Sequence, residues 1–568
     1  MKKRLLIVAV VVGSILTTSF VSNEFKISKS IDIFISLFKE LNYNYVDDID
    51  PEKLINSGID AMLKTLDPYT TYIPESKLED FRFQTTGQYG GIGAIIRRID
   101  DYVYIAEPYE GCPAAKAGLK AGDKILAVDG VEAKGKDVSS VSEQLKGTPG
   151  TSVEVTIDRM GVEQPLKIKI TREKITIPNV PYYGMLTDSV GYIRLSNFTT
   201  NAGLEVRQAV TALKAKKAKA LILDLRDNPG GLLSEAVEVV NCFIPKNQLV
   251  VFTKGKIKES FKRYVTINDP IDTLIPLTVL TSRGTASAAE IVAGTLQDLD
   301  RAVIIGQRTF GKGLVQQTRP LSYNTQLKVT VAKYYIPSGR CIQAVDYSHR
   351  NEDGSVGYIP DSLIKEFKTH AGRTVYDGGG IMPDIKTEPD KYSQIALNLY
   401  AKNIIFHFAT EFVRDHPTIA PPAKFTIDDE TYRRFTEYVN KQNFDYQTQT
   451  EQQLEKLIET AKKERYYQSA EQEFIHLKER ISHDKNKDLE VFRKEIEKLL
   501  IDEIIPRYYY QKGRIIASIN GGDKEVEKAI QILSDRTAYA GLLSSSAVIG
   551  KEEHRSKEES TVLEEDTE

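Results

Sequence analysis

The chain has 568 residues, too many for one ordinary domain and enough for three or four. It is 41% hydrophobic and 27% charged with a formal net charge of -3, a globular composition that gives no hint of nucleic-acid binding. Its three cysteines (Cys112, Cys242 and Cys341) lie far apart, which argues against a disulfide framework or a metal site and fits small buried apolar side chains.

In chain order, "MKKRLLIVAVVVGSILTTSF" opens with a basic run, an apolar stretch from Leu5 to about Leu16, and small hydroxyl residues. That stretch is shorter than the roughly 20 residues of a comfortable membrane span. Residues 1–24 therefore read as a signal peptide, with an uncleaved membrane anchor as the alternative, and place the protein in the periplasm or at the cell envelope. Residues 25–86 read as helices: "IDIFISLFKELNYNY" repeats apolar residues at three and four spacing, and Asp50-Pro51 opens a second helix that "LDPYTTYIP" breaks.

From Gly87 the chain is punctuated by glycine, with short strands, a small helix at "PAAKAGL", a helix at "VSSVSEQLKG" and a hairpin from "TSVEVTIDRMG" and "QPLKIKITRE". Residues 87–174 resemble a PDZ domain. "AAKAGLKAGDKILAVDG" carries that family's glycine-aspartate pattern, and "YGGIG" stands where its carboxylate-binding loop stands. The resemblance implies peptide binding at Tyr89, Gly90, Gly91, Ile92 and Gly93. Consecutive N–H groups in such a turn form an anion nest, and a neighbouring strand edge accepts a peptide as an added strand.

Residues 175–390 alternate strands and helices. "AKALILDLR" and "PLTVLTS" are continuous apolar runs, as expected for strands buried on both faces of an α/β core. A stretch at 346–377 looks like an insertion, a lid or a partner-binding loop. Residues 391–540 are helical and charge-rich, as in helices packing on each other, and the acidic end at 541–568 reads as disordered.

Three segments of the α/β core carry chemistry. In "TSRGTASAAEIVAGTLQD" Ser287 falls at a helix start, where unpaired N–H groups and the dipole favour developing negative charge. A plain N-cap explains that serine equally well, and Thr285 is a second candidate for the cap. "DLRDNPGG" puts Gly230 and Gly231 beyond the end of a buried strand, where ligand sites of open α/β sheets lie. "RTFGKGLVQQ" holds Lys312 between two glycines without the pattern of a phosphate-binding loop. As a general base its pKa would have to fall from about 10.4 to roughly 7 or 8, near 4 kcal/mol of desolvation. Seven histidines are present, but no G-x-S-x-G elbow and no HExxH motif.

Taken in order with "LKVTVAKYYIPSGRCIQ" and "GGGIMPDI", these segments resemble the carboxyl-terminal processing peptidases of serine peptidase family S41, over roughly residues 30 to 390. The resemblance implies a multidomain α/β chain: an N-terminal helical segment, a PDZ domain, a crotonase-like peptidase core and a C-terminal helical extension. It implies a Ser–Lys dyad of Ser287 and Lys312, with Gln316 one helical turn beyond the lysine and oriented towards it. The oxyanion donors would be the N–H of Ala288 and of Gly230 or Gly231, which the sequence does not separate. Glu290 occupies a glutamate position of the family, and its role could be structural. No cofactor is implied. The partners implied are proteins or peptides with free C-termini, and a homodimer through the N-terminal helices is left open, as is a role for the C-terminal helices in dimerisation, tethering or stability. Two competing readings are an inactive PDZ adaptor and a crotonase-like enzyme acting on acyl thioesters.

Overall fold

The computed structural model describes residues 24–351 and 354–544. The expected signal peptide, apart from residue 24, and most of the expected acidic tail lie outside these residues. The chain forms two compact units, one made of residues up to Pro74 with Gln316–Thr330, the other of Glu75–Val315 with Val331 onward.

The first unit contains helices over 24–44 and Pro51–Lys64, the second opened by Asp50, whose carboxylate caps the N–H groups of Glu52 and Lys53. Neither helix buries a residue. "TYI", expected only as a break between helices, is instead a strand, Thr71–Ile73, pairing antiparallel with Lys328–Gln326. The two prolines stop the helix, and the β-branched and aromatic residues between them suit an extended chain.

The second unit is built around a six-stranded sheet in the order Tyr182–Met185, Val190–Arg194, Ala220–Asp224, Leu277–Thr281, Val303–Gly306 and Ile385–Lys386. All neighbours are parallel except the first pair. "ALILD" and "LTVLT" are buried along their whole length, because both faces of the sheet are covered. Helices Ala202–Ala215, Leu233–Asn241 and Ala288–Asp298 cover one face through Val206, Val240, Val292 and Leu296. The other face, with Tyr192, Ile222, Leu280 and Ile305, is covered by the helix Lys524–Ser534 through Val526, Ala529, Ile532 and Leu533. The end of the C-terminal helical region is thus the third layer of the core. The helix Arg536–Leu542 follows it, so residues 541 and 542, expected to be disordered, are helical, and the Tyr539 hydroxyl accepts the Leu277 N–H at 3.0 Å.

The PDZ segment forms a sheet in the order Ala94–Ile99, Tyr102–Pro108, Lys124–Val128, Ser152–Asp158 and Leu166–Thr171 around Val103, Ile105, Ile125 and Val155. Its two ends pair with each other, Gln88–Gly91 against Thr176–Glu173. The 346–377 insertion contains the hairpins Val345–Arg350 with Val356–Tyr358, and Glu366–Lys368 with Thr374–Tyr376. Arg373, fully buried, forks onto Asp300 and Asp384 at 2.6 Å each and ties the second hairpin to the core.

Candidate active site

Strands Ala220–Asp224, Leu277–Thr281 and Val303–Gly306 are adjacent and parallel, with Leu223 opposite Val279 and Val279 opposite Ile304. Their carboxyl ends therefore release the Asn-Pro-Gly-Gly turn, the Ser287 turn and the Lys312 loop on the same side of the sheet, where α/β sheets place their ligands.

Ser287 is half-buried in the N-cap position of the helix Ala288–Asp298, with φ 56° and ψ -115°. A positive φ on a serine costs of order 1–3 kcal/mol and persists only where the surroundings impose it. They do so from both sides of the residue. The Ser287 N–H donates to Glu290 Oε2 at 2.8 Å, and its carbonyl lies 3.1 Å from the Tyr334 hydroxyl. Thr285 is not the cap: its hydroxyl donates to the Leu225 carbonyl at 2.8 Å and accepts the Ser282 N–H.

Glu290 joins the serine turn to the lysine loop. The N–H of Lys312 reaches the same Oε2 atom at 2.9 Å, while Gly311 N–H and the Thr309 hydroxyl take Oε1 at 2.7 and 2.5 Å. Burial pushes the Glu290 carboxyl up to about 7, against the pull of these donors. Tyr334 makes a second clasp, its hydroxyl lying 2.5 Å from the Lys312 carbonyl as well as near that of Ser287. Ser287 and Lys312, 25 positions apart, are thereby held backbone to backbone. Sequence reasoning flagged Glu290 but missed Tyr334. Its only signal is an aromatic residue in the strand "LKVTVAKYYIP", where a packing role is the ordinary explanation.

The Asn-Pro-Gly-Gly turn abuts the serine. A Cβ on Gly230 would lie 2.6 Å from the Ala286 carbonyl oxygen, 2.8 Å from Ala288 N and 2.8 Å from Ser287 Cβ. The backbone thus approaches the turn more closely than any other residue allows, with φ at +92°. A Cβ on Gly231 would instead meet the Phe198 backbone, with which Gly231 forms a β-bridge. The two glycines also differ in commitment, since the Gly230 N–H already donates to Asn228 Oδ1 at 2.9 Å. Asn228 Nδ2 in turn donates to the Leu195 carbonyl at 2.7 Å, and Ala286 N–H donates to the Asn228 carbonyl at 2.9 Å.

Upstream of that turn Asp224 is fully buried between Arg194 and Arg226, at 2.9 and 2.6 Å, and takes the Tyr192 hydroxyl at 2.6 Å. Burial alone would push its carboxyl up, but the two guanidinium groups outweigh it and hold the carboxyl well below the usual range.

Gln316 lies in the strand Leu314–Pro320, so its spacing from Lys312 runs along extended chain and not along a helical turn. The glycines flanking Lys312 and the β-branched Val315 favour that outcome. The Gln316 amide donates to Thr330 Oγ1 at 3.1 Å.

In the PDZ segment the strand Ala94–Ile99 pairs on one side only, with Tyr102–Pro108, and packs beside the helix Val138–Leu145. That is the open edge a peptide strand needs. Gly90 and Gly91 belong to the strand that closes the segment, Ile92 is buried, and Gly93 turns the chain at φ +74°. The Tyr89 ring folds over Gly91.

Comparison with known proteins agrees with this layout. The model of peptidase family S41 matches residues 189–349, that of the PDZ domain residues 104–159, and one described as "Probable PDZ-protease, C-terminal helical domain" residues 395–533. A carboxy-terminal-processing protease of Bartonella bacilliformis is 38% identical over 361 residues, which cover 63% of this chain and 79% of that protein. A "Probable CtpA-like serine protease" of Staphylococcus aureus is 34% identical over 358 residues, covering 60% and 71%. Among solved structures, the photosystem II D1 C-terminal processing protease matches at 29% identity and a TM-score of 0.34, covering 63% of this chain and 92% of that one.

An α/β core of this kind, joined to a PDZ domain and a helical domain, defines a serine-type peptidase. Within that class the chain belongs to peptidase family S41 and is a carboxy-terminal processing protease.

Proposed function

We propose that the chain is an endopeptidase that captures protein C-termini in its PDZ domain and cleaves unstructured tails near that end. In this reading Lys312, as the free amine, takes the proton of Ser287 while Oγ attacks the scissile carbonyl. The oxyanion is held by the N–H of Ala288 and of Gly231, which is favoured over Gly230 because the Gly230 N–H is committed to Asn228. Collapse expels the amine, which recovers the proton from Lys312. Water, deprotonated by Lys312, then hydrolyses the acyl-enzyme and restores Ser287.

The observation that carries the reading is the shared Glu290 oxygen, which holds the backbone N–H groups of Ser287 and Lys312 within 2.8 and 2.9 Å. The test compares wild type, Ser287→Ala and Lys312→Ala on an unfolded protein with a free apolar C-terminus and on the same protein amidated at that end. Both variants are expected to be folded and inactive, and wild type to cut the amidated form more slowly. Cutting by Lys312→Ala at the wild-type rate would put the base elsewhere.

Export is part of the same proposal and rests on the basic and apolar run at the start of the sequence. Among the described residues no helix is long and apolar enough to cross a membrane. Cell fractionation with sequencing of the mature N-terminus decides between a cleaved signal and an anchor. Pairing of two copies through the N-terminal helices is supported by the exposure of Phe25, Ile27, Ile31, Phe34 and Leu37. Sedimentation of the chain with and without residues 24–44 checks it.

A further inference from the structure

The helix Lys524–Ser534 does more than cover the sheet. At its start Asp523 and Glu525 reach Arg226, the residue that leads from the strand Ala220–Asp224 into the Asn-Pro-Gly-Gly turn. Arg226 Nη1 and Nη2 lie 2.9 and 2.8 Å from the two oxygens of Asp523, and Nη1 is 3.3 Å from Glu525. The other side of the guanidinium is spent on Asp224, Nη2 at 2.6 Å and Nε at 3.0 Å. Glu525 is itself oriented by the Thr387 hydroxyl at 2.7 Å.

These groups are largely out of water, with side-chain exposures of 17% for Arg226, 6% for Asp523 and 14% for Glu525. The next residues continue the chain of fixed contacts. Asp227 N–H donates to Ser282 Oγ and Ser282 Oγ to Asp227 Oδ1, both at 2.8 Å. Asn228 holds Gly230 N–H and Ala286 N–H, and Gly230 abuts Ser287.

We propose that Asp523 and Glu525 are positioning residues of the active site: they fix Arg226 and, through it, the turn 227–231 against Ser287. The inference rests on the reading of Ser287 as nucleophile and of that turn as part of the oxyanion site. Adhesion alone does not call for such a contact. Val526, Ala529, Ile532 and Leu533 already hold the helix on the sheet, and apolar burial is non-directional. A carboxylate meeting both guanidinium nitrogens is directional and sets the position and plane of the arginine, as a lysine in its place would not.

The test uses the full chain with the double substitution Asp523→Asn and Glu525→Gln. Asparagine caps a helix as well as aspartate, so the start of the helix is kept while the carboxylate charges that Asp523 and Glu525 present to Arg226 are lost. Displacement of a catalytic turn by a fraction of an ångström is expected to lower kcat by about tenfold or more, with KM within about twofold. Arg226→Lys should repeat that signature. Ile532→Ala, which loosens the same helix without touching Arg226, should lower the melting temperature and leave kcat unchanged. The inference is overturned if the double variant keeps the wild-type kcat, or if Ile532→Ala loses kcat to the same degree, since docking alone then suffices. Ser287→Ala run in parallel separates the two claims. An active Ser287→Ala refutes the underlying assignment of the nucleophile, whereas an inactive one beside a fully active double variant refutes only the role of the C-terminal helix.

Discussion

Replacing Gly230 by alanine is the sharpest probe of the turn that faces Ser287. The added Cβ would sit 2.6 Å from the Ala286 oxygen and 2.8 Å from Ala288 N, where ordinary contact begins near 3.4 Å. Both neighbours are backbone atoms, so no side chain can swing away, and the turn must open by up to about 0.8 Å. A displacement near 1 Å costs about 100-fold in rate, or some 2.7 kcal/mol of transition-state stabilisation. Overpacking and the positive φ should also lower stability by about 1–3 kcal/mol. The control is Gly118→Ala in the PDZ segment, where φ is +84° but nothing lies within 4 Å of the new Cβ. Peptide hydrolysis under saturating substrate, together with thermal melts, separates the effects. Gly230→Ala should lose kcat well below its melting temperature, and Gly118→Ala should show only a modest loss of stability. If Gly230→Ala turns over at the wild-type rate, the turn is not part of the oxyanion site.

Glu290→Gln replaces an acceptor for backbone donors with an amide that can accept at one atom only, so at least one of the Ser287, Gly311 and Lys312 N–H groups loses its partner. The expected loss is about 1–3 kcal/mol of stability with a large fall in kcat, and a variant of wild-type activity would show that the clasp is dispensable. His483 lies between Glu451 at 2.9 Å and Asp445 at 3.3 Å in the C-terminal helices; burial opposes its charge, but the carboxylates outweigh it and raise its pKa above 6.5. Its contribution is therefore complete below about pH 6.5 and lost as pH rises through the raised value, while Glu451, held down to about 2, stabilises above about pH 4.5 and loses this as pH falls. The melting-temperature gap between wild type and His483→Gln should be widest near pH 5.5 and close by about pH 9; a gap that does not change with pH excludes the charged latch. Gly93→Ala puts a Cβ 2.5 Å from Cys112 Cβ at φ +74°, and should raise KM for free-ended tails about tenfold while leaving kcat unchanged. An unchanged KM would place C-terminus recognition elsewhere.

Much of this organisation is legible in the residues, and what is not has identifiable reasons. The continuous apolar runs at 220–224 and 277–281 announce strands buried on both faces, and the glycine-rich segments after them mark the ends where loops converge. Family resemblance then singles out Ser287 and Lys312. Gly230 and Gly231 are equivalent as letters and differ only once the fold commits one N–H to Asn228. Tyr334 acts from a strand 47 positions beyond Ser287, a separation for which local pattern carries no signal. Periodicity shows that the helix Lys524–Ser534 has an apolar face, but not that the sheet of the peptidase core is what it covers. Arg226 and Asp523, 297 positions apart, are an ion pair that only the folded chain reveals.

That separation has a consequence for how the protein is made. Synthesis proceeds at about 5–20 residues per second, and about 210 residues separate Lys312 from Lys524, so the ribosome needs roughly 10 to 40 s to pass from one to the other. During that interval the nascent chain holds its serine and its lysine but has one face of the central sheet bare and Arg226 without Asp523 and Glu525. If Asp523 and Glu525 fix the turn as proposed, a chain that stops short of Lys524 carries both Ser287 and Lys312 yet reaches full activity only once this helix has docked.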